Sequence, residues 1–563
     1  MTHFFTARAR APLTLALTTA LWIAALGNLG LWRALAALPE LHNPRGWVFC
    51  IGFGVMLLAA HAVIFGLLAW KWTLKPVLIA FVLAAASINY FALAYGAVID
   101  RTMMVNVLLT DGPEVRALLN LRLAAAILVL GVLPALLIVR TRLSWAPPLT
   151  QIKRNALLIA GAILVLLGAA VAQFQDMASL MRNHTQVRYL ITPLNAIYAL
   201  ADIAVRPSQR QDGPVLPLGR DAHLPTAQPG DKPPLIIAVV GETARGDHFA
   251  LNGYARPTNP RLAQQSDLVS MTQARSCGTN TAASLPCMFS NLGRVAFNAR
   301  KANTEGLADV LSHAGLAVLW LDNQAGGCKG VCARVPALDN RALQREARPE
   351  QCNNDGCYDE VLLHDLDARI AQLPADRRAR GVVLFLHTMG SHGPAYYKRE
   401  PASFKPFQPE CATNVLTQCS HEQIVNAFDN SIVYTDHFLA SAIGWLKERE
   451  GDWATGLMYV SDHGESLGEN NLYLHGLPYA IAPDTQKHIA WIFWLSPRFQ
   501  QQRGVPIACL AAKRDDKVSH DDYFHTLLGL AGVQTSVYDP ARDITAGCRG
   551  DHPREGGGTP SEH

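Results

Sequence analysis

Four short segments carry side chains that combine into metal-assisted phosphoryl chemistry. Gly241-Glu242-Thr243 follows an apolar run at 235–240, and a second run at 457–462 ends in Ser461-Asp462-His463-Gly464-Glu465. A third run at 382–387 leads into His387-Thr388-Met389-Gly390-Ser391-His392. Separately, Cys277-Gly278-Thr279-Asn280-Thr281-Ala282-Ala283-Ser284 reads as a hydroxyl-rich turn entering a helix. Free backbone N–H groups and the positive dipole end at such a helix start favour a phosphate ester or an alkoxide. Glu242, Asp462, His463 and one hydroxyl offer three oxygens and an imidazole nitrogen. Zinc accepts that mixture, whereas magnesium and calcium prefer oxygen alone. A zinc ion touching the hydroxyl would lower its pKa and produce a nucleophile at neutral pH. Taken singly these signals are weak, since a strand-terminal Asp-His is more often a capped loop and a Thr after Gly is usually a helix cap. Spacing alone leaves both Thr279 and Thr281 open as the nucleophile.

The elements that must place these groups follow from the apolar pattern. Strand-like runs occur at 235–240, 316–322, 382–387, 457–462 and 488–495, with amphipathic stretches near 305–315, 358–373 and 422–449. That alternation predicts a largely parallel sheet with helices on both faces, in which ligands bind beyond the carboxyl ends of the strands. The chemistry-bearing segments fall at those ends. From 233 to 550 the chain therefore reads as one α/β catalytic domain.

The first third is different. Half of the 563 residues are hydrophobic and only 17% are charged, and the apolar excess is concentrated before residue 176. Five runs of bilayer-spanning length lie at roughly 11–32, 47–70, 76–99, 121–139 and 156–175. The first is read as an uncleaved helix rather than a signal peptide, because it is long, lacks a small-residue cleavage site and is followed by further spans. Residues 1–176 thus predict an α-helical membrane domain of five helices. With a cytoplasmic N-terminus, the inner side carries Arg8, Arg10, Lys71, Lys75, Arg140, Arg142, Lys153 and Arg154. The outer loops hold Arg33, Arg45, Arg101, Arg116 and Arg122, and an odd number of spans puts everything after residue 176 outside. Residues 177–232, where Arg182, Tyr189, Tyr198 and Arg206 interleave with apolar residues, suit interfacial helices and a linker. The polar tail at 551–563 reads as disordered.

Cysteine usage agrees with that topology. Cys50 lies in a span, and the other ten follow residue 276 in near-sequence couples: Cys277/Cys287, Cys328/Cys332, Cys352/Cys357, Cys411/Cys419 and Cys509/Cys548. Even numbers in closely spaced couples suit disulfides in an oxidising compartment, although spacing does not fix which cysteines pair. A structural zinc site at Cys328, Cys332, Cys352 and Cys357 is the competing reading, disfavoured because no CxxC knuckle occurs. A net charge of +4 and a pI near 8.4, without a basic stripe, argue against nucleic acid as a partner.

Seven segments together resemble the membrane-bound lipid A phosphoethanolamine transferases, a family that includes the mobile colistin-resistance enzymes and shares the alkaline-phosphatase/sulfatase-like fold. They are VVGETARGDHFALNGYARPTNP (239–260), SCGTNTAASLPCMFS (276–290), CKGVCARV (328–335), CNNDGCYDEVLL (352–363), LHTMGSHGPAYYKR (386–399), YVSDHGESLGENNLYLHGLPYAIAP (459–483) and SHDDYFHTLLGL (519–530). The resemblance covers nearly the whole chain. It implies that Glu242, Thr281, Asp462 and His463 bind a catalytic zinc and that Thr281, rather than Thr279, becomes phosphorylated. It also implies that His392 and His475 contact the phosphoryl group, the leaving group or a second zinc, and that Lys329 lies near the phosphate. Asn106, Thr110 and Glu114 match positions linked to lipid substrate, and their four-residue spacing would align them on one helical face but for Gly112-Pro113.

The activity so implied is a two-step transfer by an inner-membrane monomer with its catalytic domain in the periplasm. Phosphatidylethanolamine would donate its headgroup to Thr281 and release diacylglycerol, and a phosphate of lipid A within lipopolysaccharide would take the group from Thr281. The added ammonium makes the surface less negative, so cationic peptides such as polymyxin are attracted less. Three rivals stand beside this reading: a lipoteichoic-acid-synthase-like glycerol phosphate transferase, a transferase for a core sugar or periplasmic glucan, and a non-catalytic membrane receptor. Intact Glu242, Thr281, Asp462 and His463 count against the last.

Overall fold

The computed structural model describes residues 9–110, 112–205, 214–324, 326–353 and 356–549. Arg8, Arg206 and the tail at 551–563, all given a part in the sequence reading, lie outside the described residues. The chain divides into two compact units, one built mainly from residues 1–107 and 118–206, the other mainly from 207–469 and 473–563.

Among the described residues, the first unit contains five helices long and apolar enough to cross a membrane: α1 Pro12–Ala36, α2 Pro44–Leu67, α3 Leu74–Tyr95, α4 Leu121–Arg140 and α5 Pro148–Ala172. Helices in an apolar medium associate through small residues and paired polar groups, and both devices are visible. Gly66 lets α2 approach Ile159 of α5 so closely that a Cβ there would lie 2.9 Å from it. Asn155 donates to the Ala69 carbonyl beyond α2 and accepts from Gln151 over 2.7 Å. This explains why α5 begins at Pro148 and not near 156: its polar first turns are satisfied within the bundle. Asn28, buried at a short 3-10 turn inside α1, donates to Ile23 and Thr192 carbonyls and accepts from the Thr192 amide.

The second unit is an α/β domain around an eight-stranded sheet. Its strands are β1 Pro234–Gly241, β2 Leu268–Arg275, β3 Ala317–Asp322, β4 Ala337–Leu338, β5 Val382–His387, β6 Ala454–Ser461, β7 His488–Leu495 and β8 Lys517–Ser519, in the order β8-β2-β7-β6-β1-β5-β3-β4. The central trio is parallel, with Ala238 of β1 opposite both Phe385 and Met458. The sheet is largely parallel, as expected, and the 488–495 run is a strand that lies antiparallel to both of its neighbours. The central strands are buried on both faces because separate apolar layers cover each side. The layer carrying Ile236, Ala238 and Val240 also contains Trp320, Phe385 and Phe289, whose rings meet at 5.2–5.4 Å. Helices α6 Thr281–Met288, α7 Arg294–Ala299, α8 Leu307–His313, α9 His421–Lys447 and α10 His520–Ala531 pack around this sheet. The amphipathic stretch at 358–373 is not one helix. It splits into a 3-10 segment, Asp359–Leu363, and a helix, Leu366–Ala371, because Asp365 between them takes left-handed backbone (φ 51°).

The ten cysteines after residue 276 form five disulfides, Cys277–Cys287, Cys328–Cys332, Cys352–Cys357, Cys411–Cys419 and Cys509–Cys548. The competing four-cysteine zinc site is thereby overturned, since its thiols are paired with one another.

Candidate metal centre

Strand ends supply the centre. Glu242 follows β1 and Asp462 follows β6, and because these strands are paired parallel in register through Gly241 and Ser461, the two carboxylates emerge side by side. Thr281 is the first residue of α6, and its cap is Asn280, whose side chain accepts from the Ala283 amide. Thr281 therefore does not cap the helix itself. Its half-buried hydroxyl instead donates to Glu242 Oε2 over 3.0 Å. Thr279 is committed elsewhere, donating to the Leu477 carbonyl over 2.6 Å.

Each of the three buried ligand candidates is fixed by one atom and leaves another facing its neighbours. Glu242 uses Oε2 to accept from Thr281 and from the Gln324 amide at 2.6 Å. Asp462 uses Oδ1 to accept from the backbone amides of Thr243 and His463. His463 uses Nδ1, donated to the Gly464 carbonyl over 2.8 Å, which leaves the lone pair on Nε2. The three remaining atoms, Glu242 Oε1, Asp462 Oδ2 and His463 Nε2, are buried and hydrogen-bonded to nothing. They converge, with His463 Nε2 3.3 Å from the glutamate oxygen and 3.4 Å from the aspartate oxygen. Buried polar atoms without partners are rare. Three that converge beside a hydroxyl form a donor set that fits a zinc-sized cation.

The electrostatics agree. Burial and the charge of Glu242 push the Asp462 carboxyl up to about 6. Burial alone would lower the His463 imidazole, but the adjacent Asp462 and Glu242 outweigh it and raise it to about 10. Burial likewise opposes ionisation of Glu242, yet the adjoining imidazole holds it well below the usual carboxylate range. In a buried cluster of two carboxylates positive charge at this position is favoured, and a cation held by the free His463 Nε2 and the two carboxylates would supply it.

His392 and His475 join the same cluster. Nitrogens of both can approach a Glu242 oxygen within 4.8 Å of one another, and the His475 ring lies 4.3 Å from His463 and 5.6 Å from His392. Glu465, which the motif contained without a stated role, accepts from His475 Nδ1 at 2.6 Å and from the Tyr396 hydroxyl, turning His475 Nε2 toward the centre. The loop bearing His392 is fixed from behind by buried Asp359, which accepts the amides of Met389 and Gly390. Gly390 is obligatory, because a Cβ there would lie 2.7 Å from the Glu242 carbonyl and its φ is 48°.

Two groups carried no assigned role from the sequence, although His520 lies in the 519–530 segment. Gln324 follows β3 outside any recognisable spacing. His520 opens α10, accepts the Cys277 amide on Nδ1 and donates Nε2–H to the Ser461 carbonyl, so it joins the nucleophile turn to the Asp462 strand. Burial lowers its pKa to about 4, and it is neutral in this role.

The remaining expected residues are placed separately. Lys329 is half-buried on the turn after β3 with left-handed backbone (φ 47°) and makes no ion pair among the described residues. Asn106 lies in the helix Arg101–Leu109, Thr110 follows it, and Glu114 lies in a second helix, Gly112–Leu118. The two helices are separate segments, in keeping with the interruption expected at Gly112-Pro113.

Comparison with known proteins adds the context. Residues 57–207 match the family described as phosphoethanolamine transferase EptA/EptB, and residues 234–533 match the sulfatase family. The chain is 41% identical to phosphoethanolamine transferase EptA of Salmonella typhimurium, over 94% of this chain and 95% of that one. It is 37% identical to phosphatidylethanolamine transferase Mcr-2 of Escherichia coli, over 93% and 95%. Among solved structures, the integral membrane lipooligosaccharide phosphoethanolamine transferase A of Neisseria meningitidis matches with a TM-score of 0.89 at 36% identity, covering 95% of this chain and 98% of that one.

Proposed function

Because the chain belongs to the phosphoethanolamine transferase family, we propose that it moves phosphoethanolamine from phosphatidylethanolamine to a phosphate of lipid A through a covalent intermediate on Thr281. The observation that supports this most is the Thr281 hydroxyl, hydrogen-bonded to Glu242 at a helix start beside three converging, unpartnered donor atoms. Zinc held by Glu242, Thr281, Asp462 and His463 would lower the hydroxyl's pKa and offset charge on the phosphoryl group.

In the first half-reaction the Thr281 Oγ–P bond forms and the bond from phosphorus to the diacylglycerol oxygen breaks. The hydroxyl proton leaves toward Glu242 Oε2, its hydrogen-bond acceptor. His475, oriented by Glu465, delivers a proton to the departing alkoxide from Nε2, with His392 beside it. In the second half-reaction an oxygen of the acceptor phosphate monoester passes its proton to His475 and bonds to phosphorus, the Oγ–P bond breaks, and Thr281 regains its proton from Glu242. The amides at the start of α6 and the Lys329 ammonium stabilise phosphoryl oxygens, while Asn106, Thr110 and Glu114 serve the lipid substrates. In the alternative role of this pair, His392 and His475 would hold a second zinc, which would take the place of His475 as the group that offsets charge on the departing alkoxide. We further place the protein in the inner membrane with its disulfide-rich unit in the periplasm, because five cystines require an oxidising compartment.

Acceptor identity is tested by lipid A mass spectra from cells with and without the gene. A shift of one phosphoethanolamine unit is expected. Its absence, with the unit appearing on core sugar or glucan, would transfer the assignment to that acceptor.

A further inference from the structure

Outside the metal centre, two cations without an ion-pair partner among the described residues flank Tyr479. The Arg294 guanidinium, at the start of α7, stacks 3.6 Å from the centroid of the Tyr479 ring, and the Lys487 ammonium lies 5.2 Å from the same ring. Neither cation has a carboxylate partner among the described residues, and Arg294 Nε is buried without any hydrogen bond. The nearby acids are engaged elsewhere: Asp521 accepts the Arg294 backbone amide at 2.7 Å, and Asp484 pairs with Arg275. A guanidinium stacked by its face on an aromatic ring keeps its in-plane N–H fork available sideways, the geometry that suits a phosphate.

The cluster is joined to the nucleophile turn. The Tyr479 hydroxyl donates to the Ser276 carbonyl, and two residues upstream Leu477 receives the Thr279 hydroxyl. The Gly476 amide donates to the Thr279 carbonyl over 2.7 Å. Val295, next to Arg294, is 78% exposed and gives the cluster an apolar margin. From this arrangement we infer that Arg294, Tyr479 and Lys487 form a second anion subsite, which binds a phosphate monoester of the acceptor glycolipid other than the one that reacts. The inference rests on the transferase reading above. It assigns the acceptor to amphiphiles carrying two phosphates. Burial lowers the Lys487 pKa; the charge of Asp484 opposes that shift, and the charges of Arg275 and Arg294 add to it.

The test uses the full-length protein with headgroup-labelled phosphatidylethanolamine and two acceptors, a glucosamine-disaccharide lipid with two phosphate monoesters and its monophosphoryl form. Wild type is expected to favour the bisphosphorylated acceptor in kcat/KM. In Arg294→Gln and, separately, in Lys487→Gln, that preference should fall roughly tenfold, through KM, as expected for loss of one charge-assisted contact. Lys487→Arg should keep it. An unchanged preference, or equal losses on both acceptors, would overturn the subsite. So would competition by phosphatidylglycerol vesicles that affects both acceptors alike and disappears in Arg294→Gln, because the cluster would then hold a membrane headgroup. The parent reading fails separately, if wild type without acceptor acquires no label on Thr281.

Discussion

The side-chain amide of Gln324 donates to Glu242 Oε2 over 2.6 Å, the same oxygen that receives the Thr281 hydroxyl at 3.0 Å. One carboxylate oxygen is thus occupied by two donors, and the other, Oε1, is turned toward Asp462 and His463. Gln324 is itself fixed, its backbone N–H donating to Asp322 Oδ1, while Asp322 also contacts His387 and accepts the Trp320 indole N–H. The aim of Glu242 Oε1 is therefore set from inside the aromatic core.

Replacing Gln324 with Met keeps the volume and deletes the donor. Outer-sphere partners of metal ligands are typically worth 10- to 100-fold in affinity, so zinc affinity should fall by about that range, with a melting temperature close to wild type. A competition titration with a chromophoric chelator reads this. Wild-type affinity in Gln324→Met would mean that Glu242 is oriented by other contacts.

The ligand set has its own test. Asp462→Asn, His463→Ala and Glu242→Gln should each lose the tightly bound equivalent of zinc, measured by elemental mass spectrometry on the purified chain. The two amide variants remove a carboxylate charge, and His463→Ala removes the imidazole nitrogen, from three converging groups. A full equivalent retained in any of them would strike that residue from the set. Chelating the metal from wild type should abolish transfer, and adding zinc back should restore it.

His520 predicts an acid limit. Its folded pKa of about 4 lies below the ordinary 6.5 because the ring is fully buried. The unfolded chain therefore takes up this proton first. The stabilisation is complete above about pH 6.5 and is lost as pH falls toward 4, by an amount on the order of 3 kcal/mol. Thermal melts of wild type across that window should fall more steeply than those of His520→Gln, which has no ring to protonate. Parallel slopes would show that other groups govern the acid side.

Much of this was legible in the residues. The five apolar runs set the helices of the first unit to within a turn or two, except at α5, where buried pairing of Gln151 and Asn155 extends the helix N-terminally past the polar boundary. Strands β1, β3, β5 and β6 announced themselves as continuous apolar runs because both faces are covered. Strand β7 carried the same apolar signal, but burial says nothing about direction, so its antiparallel course was hidden. Strand β2 (LVSMTQAR) was missed because its polar residues alternate with apolar ones near the sheet's edge. At the centre, Glu242, Asp462 and His463 were readable from their positions at strand ends. Gln324, Glu465 and His520 were not assigned roles, since their work is to orient other side chains and depends on contacts made across the fold.

The central claim is that Thr281 carries the transferred group. Purified protein incubated with headgroup-labelled phosphatidylethanolamine, without acceptor, should yield a peptide bearing one phosphoethanolamine on Thr281 by mass spectrometry. Thr281→Ala should abolish the adduct, and Thr279→Val should keep it, because the Thr279 hydroxyl is spent on the Leu477 carbonyl. An adduct on another residue, or undiminished labelling of Thr281→Ala, would contradict the account.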